Sequence, residues 1–314
     1  IALATNFWMM KVSNLKAHLA LFFVNVLYGA GHLLAKGVMP DFLCPPVFIF
    51  LRVSGAVLFF WTLSLLLRQT KIAKVDIPRF MLCGLFGVAL NQMFFFHGLN
   101  LSSSINSGII MSMNPIMVAI LSFFLLKELP SLMRTVGIII GATGAILLTL
   151  TGSVQAGESI LGDLFLFINA MSYAFYLVLV KPLMGKYAPI TVITWVFTFG
   201  LGFVCIYPPT LSGLFQTNFT GFPNEIYLKI AYIIIGVTFL TYLLTIYGLK
   251  YLSPTVSSSY IYFQPVLVII FAFLFTFLNW SADYTDTITI QKMGYMLLIF
   301  TGVYLTSKAT TKKT

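Results

Sequence analysis

Gly98-Leu-Asn-Leu-Ser-Ser-Ser-Ile-Asn-Ser-Gly-Ile-Ile-Met-Ser-Met-Asn-Pro115 returns, at an offset of 150 positions, as Gly248-Leu-Lys-Tyr-Leu-Ser-Pro-Thr-Val-Ser-Ser-Ser-Tyr-Ile-Tyr-Phe-Gln-Pro265. Gly98-Leu99 matches Gly248-Leu249, Ser103 matches Ser253, Ser107 matches Ser257 and Pro115 matches Pro265. A looser pair lies upstream, where Tyr28 and Lys36 match Tyr173 and Lys181 at an offset of 145. Self-similarity over half a chain marks a protein built from two structural repeats.

Both copies sit in sequence that is almost wholly apolar. The chain has 314 residues, is 59% hydrophobic and only 8% charged, and has a mean hydropathy of +0.98. Soluble domains carry about a quarter charged residues, so this chain cannot cover a water-facing surface. It reads as an integral membrane protein. No Asp, Glu, Lys or Arg occurs between Phe80 and Leu126 or between Tyr187 and Asn224. Each stretch suits two spans of roughly 20 residues joined by a turn. The apolar runs are continuous and do not alternate, which selects helices over a barrel. Cys44, Cys83 and Cys205 show no metal spacing and read as small packing residues, so no metal or cofactor is expected. No cleavable signal peptide is expected ahead of the first span.

Apolar runs between charges and turn residues predict helices near 17–36, 46–67, 79–99, 104–126, 132–151, 161–182, 190–211, 227–249, 254–278 and 290–307. With the N-terminus inside, the inner segments hold fourteen of the eighteen basic residues. Only Lys36, Lys229 and Lys292 fall outside, and Arg52 lies within a span. The positive-inside rule therefore places both termini in the cytoplasm, with the plasma (inner) membrane as the expected location. The net charge of +10 is an orientation signal, and no nucleic-acid partner is expected. The halves divide near Gly152 to Ser159, giving units 15–152 and 160–307 with five helices each. An odd number of spans turns the second unit over. The expected fold is all-α: a polytopic membrane protein of ten transmembrane helices in two inverted five-helix repeats.

The segment from Gly98 to Gly108, Asn114-Pro115, Leu126-Lys-Glu128 and the glycines from Gly137 to Gly144 resemble the EamA unit of the drug/metabolite transporter superfamily. Gly248, Pro254, Pro265, Gly294 and Gly302 mark the second unit, and Gly162-Asp163 fits the start of the sixth helix. The resemblance runs from about Leu15 to Ser307. Two features depart from it. Glu128 has no counterpart where Asn279-Trp280-Ser281 stands, and the outer loop from Asn279 to Thr289 is long. The resemblance implies a ten-helix secondary transporter. Such proteins move amino acids, other metabolites or xenobiotics, often outward.

Polar groups within a bilayer are costly and face the bundle interior. Asn25, Gly29, His32 and Lys36 recur at steps of four, three and four, on one helix face with Tyr28 beside it. That stripe is a candidate substrate wall, with His32 near mid-depth and Lys36 at the outer mouth. The competing reading is interhelical hydrogen bonding and a snorkelling lysine. Met111 and Asn114 precede Pro115, as Ile261 and Gln264 precede Pro265. A proline frees a carbonyl on the preceding turn beside each amide, which suits either a cavity lining or a structural kink. At most one of the adjacent Asn91 and Gln92 is expected to line the cavity, with Asn91 the candidate. Tyr173 and Tyr176 share a face with Asn169, Tyr242 clusters with Thr238, Thr241 and Thr245, and Trp195 is a candidate wall. Arg52 is a buried cation suited to pairing an anionic group or to gating. No carboxylate lies deep in a span, so a carboxylate proton relay or a sodium cage is not expected, and His32 is the one mid-membrane group that titrates near neutral pH.

These features favour a transporter, expected to be an exporter, of amino acids or other small metabolites by alternating access. The alternative on the same fold is a flippase for a lipid or lipid-linked sugar. A membrane-embedded enzyme would need clustered nucleophiles or ligands, whereas His18, His32 and His97 lie far apart in sequence, so no enzymatic activity is expected. A channel or receptor fits the doubled unit poorly, and no nucleotide-binding Gly-x-x-x-x-Gly-Lys motif occurs. The expected partners are a small-molecule substrate and membrane lipid. Gly137-x-x-x-Gly141, with Gly144 one turn on, predicts a close helix contact and allows a monomer or homodimer.

Overall fold

The computed structural model describes residues 2–39, 41–67, 71–101, 110–111, 113–129, 131–150, 160–277, 290–308 and 312–313. The Gly152 to Ser159 divide and the Asn279 to Thr289 loop fall outside them. The principal helices are α1 (Ala2–Lys36), α2 (Pro45–Leu66), α3 (74–101), α4 (Asn114–Leu126) and α5 (Leu132–Leu150). They continue as α6 (Ile160–Met184), α7 (Pro189–Ile206), α8 (224–251), α9 (254–277) and α10 (Ile290–Lys308). By length and composition, the stretches Pro45–Leu66, Lys74–Gly98, Ile160–Met184, Pro189–Ile206 and Asn224–Tyr251 can each cross a bilayer. Asn114–Leu126 and Leu132–Leu147 are shorter apolar helices.

Local chemistry sets these ends. Pro45, Pro189 and Pro254 open helices at first-turn positions, where the missing N–H costs nothing and φ is already helical. Ser253 caps α9 by accepting a hydrogen bond from the Val256 N–H at 3.3 Å. A turn at 74–76 extends α3 ahead of the expected 79, the expected start of α4 at 104 lies outside the described residues, and two further ends differ. α1 begins at Ala2, well before residue 17, because Lys11 and Lys16 mark where apolar sequence stops and do not break a helix. α7 stops at Ile206, short of 211, because Pro208-Pro209 starts a separate short helix, Pro208–Gln216, that folds against α2.

Midway along α3 and α8 the helix widens into π turns, at Leu85–Leu90 and Ile233–Leu240. Such turns leave carbonyls outside the regular α ladder. In α3, Ser172 of α6 donates to the Phe86 carbonyl at 2.7 Å and the Tyr242 hydroxyl of α8 donates to the Gly87 carbonyl at 3.1 Å.

The most extensive helix contacts recur when each helix is exchanged for the one five places away. α5 packs on α10, α2 on α7, and α4 on α9. The contact of α3 with α6 is mirrored by that of α8 with α1, and α4 on α6 by α9 on α1. The α5–α10 seam is the tightest. Gly141 and Gly302 meet backbone to backbone, and a Cβ at Gly137 would lie 2.6 Å from Thr306 Oγ1. The small-residue stripe on α5 is thus filled by α10 of the same chain.

The two ends of the bundle hold different loops. At one end Lys186 pairs with Asp76 at 2.8 Å, Tyr187 donates to Asp76 at 2.7 Å, and the Ala73 N–H donates to the Tyr187 hydroxyl at 3.0 Å. There Lys181 also donates to the carbonyls of Leu249 and Leu252 at the end of α8, and Glu128 pairs in antiparallel register with Lys313. At the other end Phe42 packs edge-on to Phe222 at 5.7 Å, His97 meets Tyr207, and Gly98 lies against Gly162. The end of α6 therefore lies level with Leu21 of α1, which sits against Gly248, and from there α1 runs on toward Lys229 near the start of α8. One apolar core joins α2, α3, α6, α7 and α8 around Phe48, Phe60, Phe197 and Leu177. A smaller one joins α1, α5, α9 and α10 around Leu21, Tyr262 and Ile299.

Candidate functional site

A cavity of about 140 Å3 opens where the two cores meet, walled by α1, α2, α3, α4, α6, α8 and α9. From α1, Asn25 and Tyr28 face it. Asn25 turns its Nδ2 back to the Leu21 carbonyl at 2.8 Å, and its Oδ1 is buried with no hydrogen-bond partner. From α4, Asn114, fixed at the helix start by the following Pro115, donates Nδ2 to the Ala170 carbonyl at 2.8 Å. Its Oδ1 is likewise unpartnered, as is Ser257 Oγ of α9. Buried polar atoms without partners are uncommon, and here these three and both Gln92 amide atoms belong to residues that line one cavity.

The widened α3 shapes the third wall. Asn169 of α6 donates to the Asn91 carbonyl at 2.6 Å. Both Asn91 and Gln92 line the cavity, contrary to the expectation that only one of them does. They directly follow the π turn, and seven helices surround a hollow wide enough to meet two adjacent side chains. The Gln92 amide is buried beside Tyr242 without reaching hydrogen-bond geometry.

Arg52 of α2 enters from the side. Only 8% of it is exposed. Its Nε donates to Thr238 Oγ1 at 3.1 Å, and Thr238 donates to the Ile233 carbonyl of the second π turn at 2.8 Å. Its guanidinium carbon lies 5.5 Å from the Phe48 ring centroid and 5.3 Å from that of Phe96.

Of the residues singled out in the sequence, Asn25, Tyr28, Arg52, Asn91, Met111, Asn114, Tyr173, Tyr242 and Gln264 line this one cavity. Two do not. Tyr176 is fully buried one layer back, where Gly87 of α3 leaves room for its ring, 6.0 Å from the Tyr173 ring. Trp195 packs edge-on to Trp61 at 5.4 Å and against Phe199, on a helix that adds nothing to the described wall. The side chains of His32 and Lys36 lie outside the described residues. Gln92 and the Thr238 clasp on Arg52 were not foreseen. Among the described residues no Asp or Glu lines the cavity, and no cluster of three metal-ligating side chains occurs.

A polar-lined hollow inside apolar helices that can cross a bilayer defines a membrane transporter. The comparisons agree. The profile of the EamA-like transporter family matches residues 15–150 and 160–308. The uncharacterized transporter YyaM of Bacillus subtilis (strain 168) is 24% identical over 210 residues, covering 66% of this chain and 68% of that protein. An uncharacterized transporter of Archaeoglobus fulgidus is 30% identical over 167 residues, covering 53% of this chain and 58% of its own length, less than two-thirds. One crystal structure superposes with a TM-score of 0.70 at 17% identity, covering 92% of this chain and 95% of that one, which shows a shared fold. The chain belongs to the EamA-like transporter family.

Proposed function

We propose that the protein is a secondary transporter that exports a small metabolite, amino acids among them, by alternating access. In this reading ten spans form two inverted repeats in the plasma membrane, and both termini are cytoplasmic. The observation that carries the reading is the make-up of the cavity wall. α1 and α6, α3 and α8, and α4 and α9 each contribute, so both halves hold the solute between them. Rocking one half against the other then exposes the same polar groups to either side.

Support for the inversion comes from the exchange pattern of the main helix contacts and from α1 running away from the level at which α6 ends. Support for the orientation comes from the basic residues, which concentrate in segments grouped at one end. The test is counterflow in proteoliposomes across a panel of amino acids and metabolites, with Asn114→Ala and Gln264→Ala. Saturable exchange that both substitutions weaken is the expected result. Unsaturable conductance, or no flux for any member of the panel, would remove the proposal.

A further inference from the structure

Arg52 is the one cation among the described residues of the cavity wall, and that wall holds no described carboxylate. Its partners are all neutral: the Thr238 hydroxyl and the faces of Phe48 and Phe96. A buried cation without a counter-ion is strongly unfavourable. The Thr238 contact uses Nε alone. The two terminal amino groups make no hydrogen bond with the described residues, so none of these occupies the edge of the fork that matches a carboxylate. Thr238 is itself held by the Ile233 carbonyl, which fixes the direction of the fork.

We infer that Arg52 is the anion anchor of the cavity, that Thr238 is its positioning residue, and that the transported solute is a monocarboxylate. This rests on the transport reading above. Charge balance selects the class. One negative charge neutralises one guanidinium, whereas a phosphate dianion leaves a surplus that no described cation of the wall meets. A spherical halide cannot span the fork. The unpartnered Asn25 Oδ1 and Asn114 Oδ1 accept hydrogen bonds, so a solute with a donor group beside its carboxylate satisfies both ends.

The test uses the full chain in detergent micelles, titrated with leucine, 4-methylpentanoate, 3-methylbutylamine, inorganic phosphate and sodium chloride, and read by thermal shift. The first two share a carboxylate, and the amine lacks it. At least one carboxylate should raise Tm saturably, while the amine, phosphate and chloride do not. Arg52→Gln should weaken carboxylate binding on the order of ten- to hundredfold, the loss typical of a hydrogen bond to a charged group. It should leave the Tm of the ligand-free protein unchanged or higher, since a costly unpaired charge is gone. Thr238→Val should also weaken binding, and Thr238→Ser should restore it. Equal carboxylate binding by wild type and Arg52→Gln, binding of the amine, or no binding by either carboxylate overturns the inference. So does a ligand-free Arg52→Gln protein that is markedly less stable. Carboxylate binding without flux would sink the transport reading and leave the anchor standing. Flux unaffected by Arg52→Gln would do the reverse.

Discussion

Adding one methyl group at Gly302 tests the α5–α10 seam. A Cβ there would lie 2.5 Å from Gly141 Cα and 2.7 Å from the Gly137 carbonyl oxygen. Ordinary carbon contacts lie at about 3.5–4.0 Å, so the shortfall is roughly 1 Å, and it falls on backbone that no rotamer change can move. Overpacking of this kind costs typically 1–3 kcal/mol, occasionally more. The better helix propensity of Ala offsets about 0.5–1 kcal/mol. Gly302→Ala should therefore destabilise by about 1–2 kcal/mol. Gly294 lies on the same helix with nothing within 4 Å of a built Cβ. Gly294→Ala should be neutral or stabilising by up to about 1 kcal/mol. Unfolding in mixed micelles, followed by far-UV circular dichroism, measures both. Equal stability of the two variants would refute the close-approach argument, because they share residue change and helix and differ only in what the methyl meets.

Other outcomes follow from the cavity and its supports. Ser172→Ala should destabilise by about 1–3 kcal/mol, since it strips the Phe86 carbonyl of its side-chain donor; chemical unfolding reads the loss. Trp195→Ala should lower stability by less than the about 3–5 kcal/mol of a fully buried aromatic, since the ring is half-buried, yet leave solute Kd unchanged. Asn114→Ala should raise Kd, and equilibrium binding separates the two. Cys44 is exposed at the end expected to face outward. An impermeant maleimide applied to intact cells should label it, and should label Lys186→Cys in a Cys44→Ser background only after permeabilisation. The opposite pattern would invert the orientation.

How much of this was legible depends on the kind of signal. Charges and prolines punctuate sequence, so the ends of α2, α5, α9 and α10 fall within a residue of expectation. Lysines near the start of α1 misled, because a charge ends an apolar run without ending a helix. Helical spacing found the Asn25 and Tyr28 face and paired Asn114 with Gln264. Spacing alone does not place Tyr176, because the gap that takes its ring is a glycine on another helix, Gly87. The wide turn before Asn91 has no sequence marker. Its freed carbonyls are satisfied by Ser172 and Tyr242, far away in the chain, so only the assembled bundle makes it affordable.

That wide turn sets the aim of the rest of α3. An α-helix advances about 100° per residue, so deleting a single position within 85–90 and closing the turn would swing everything beyond it by roughly that angle. Asn91 and Gln92 would leave the hollow, and neighbouring phenylalanines would sweep toward it. The rod would stay nearly as long and as oily, and its lipid surroundings would register little. A one-codon deletion is thus a short evolutionary route to a differently tuned carrier.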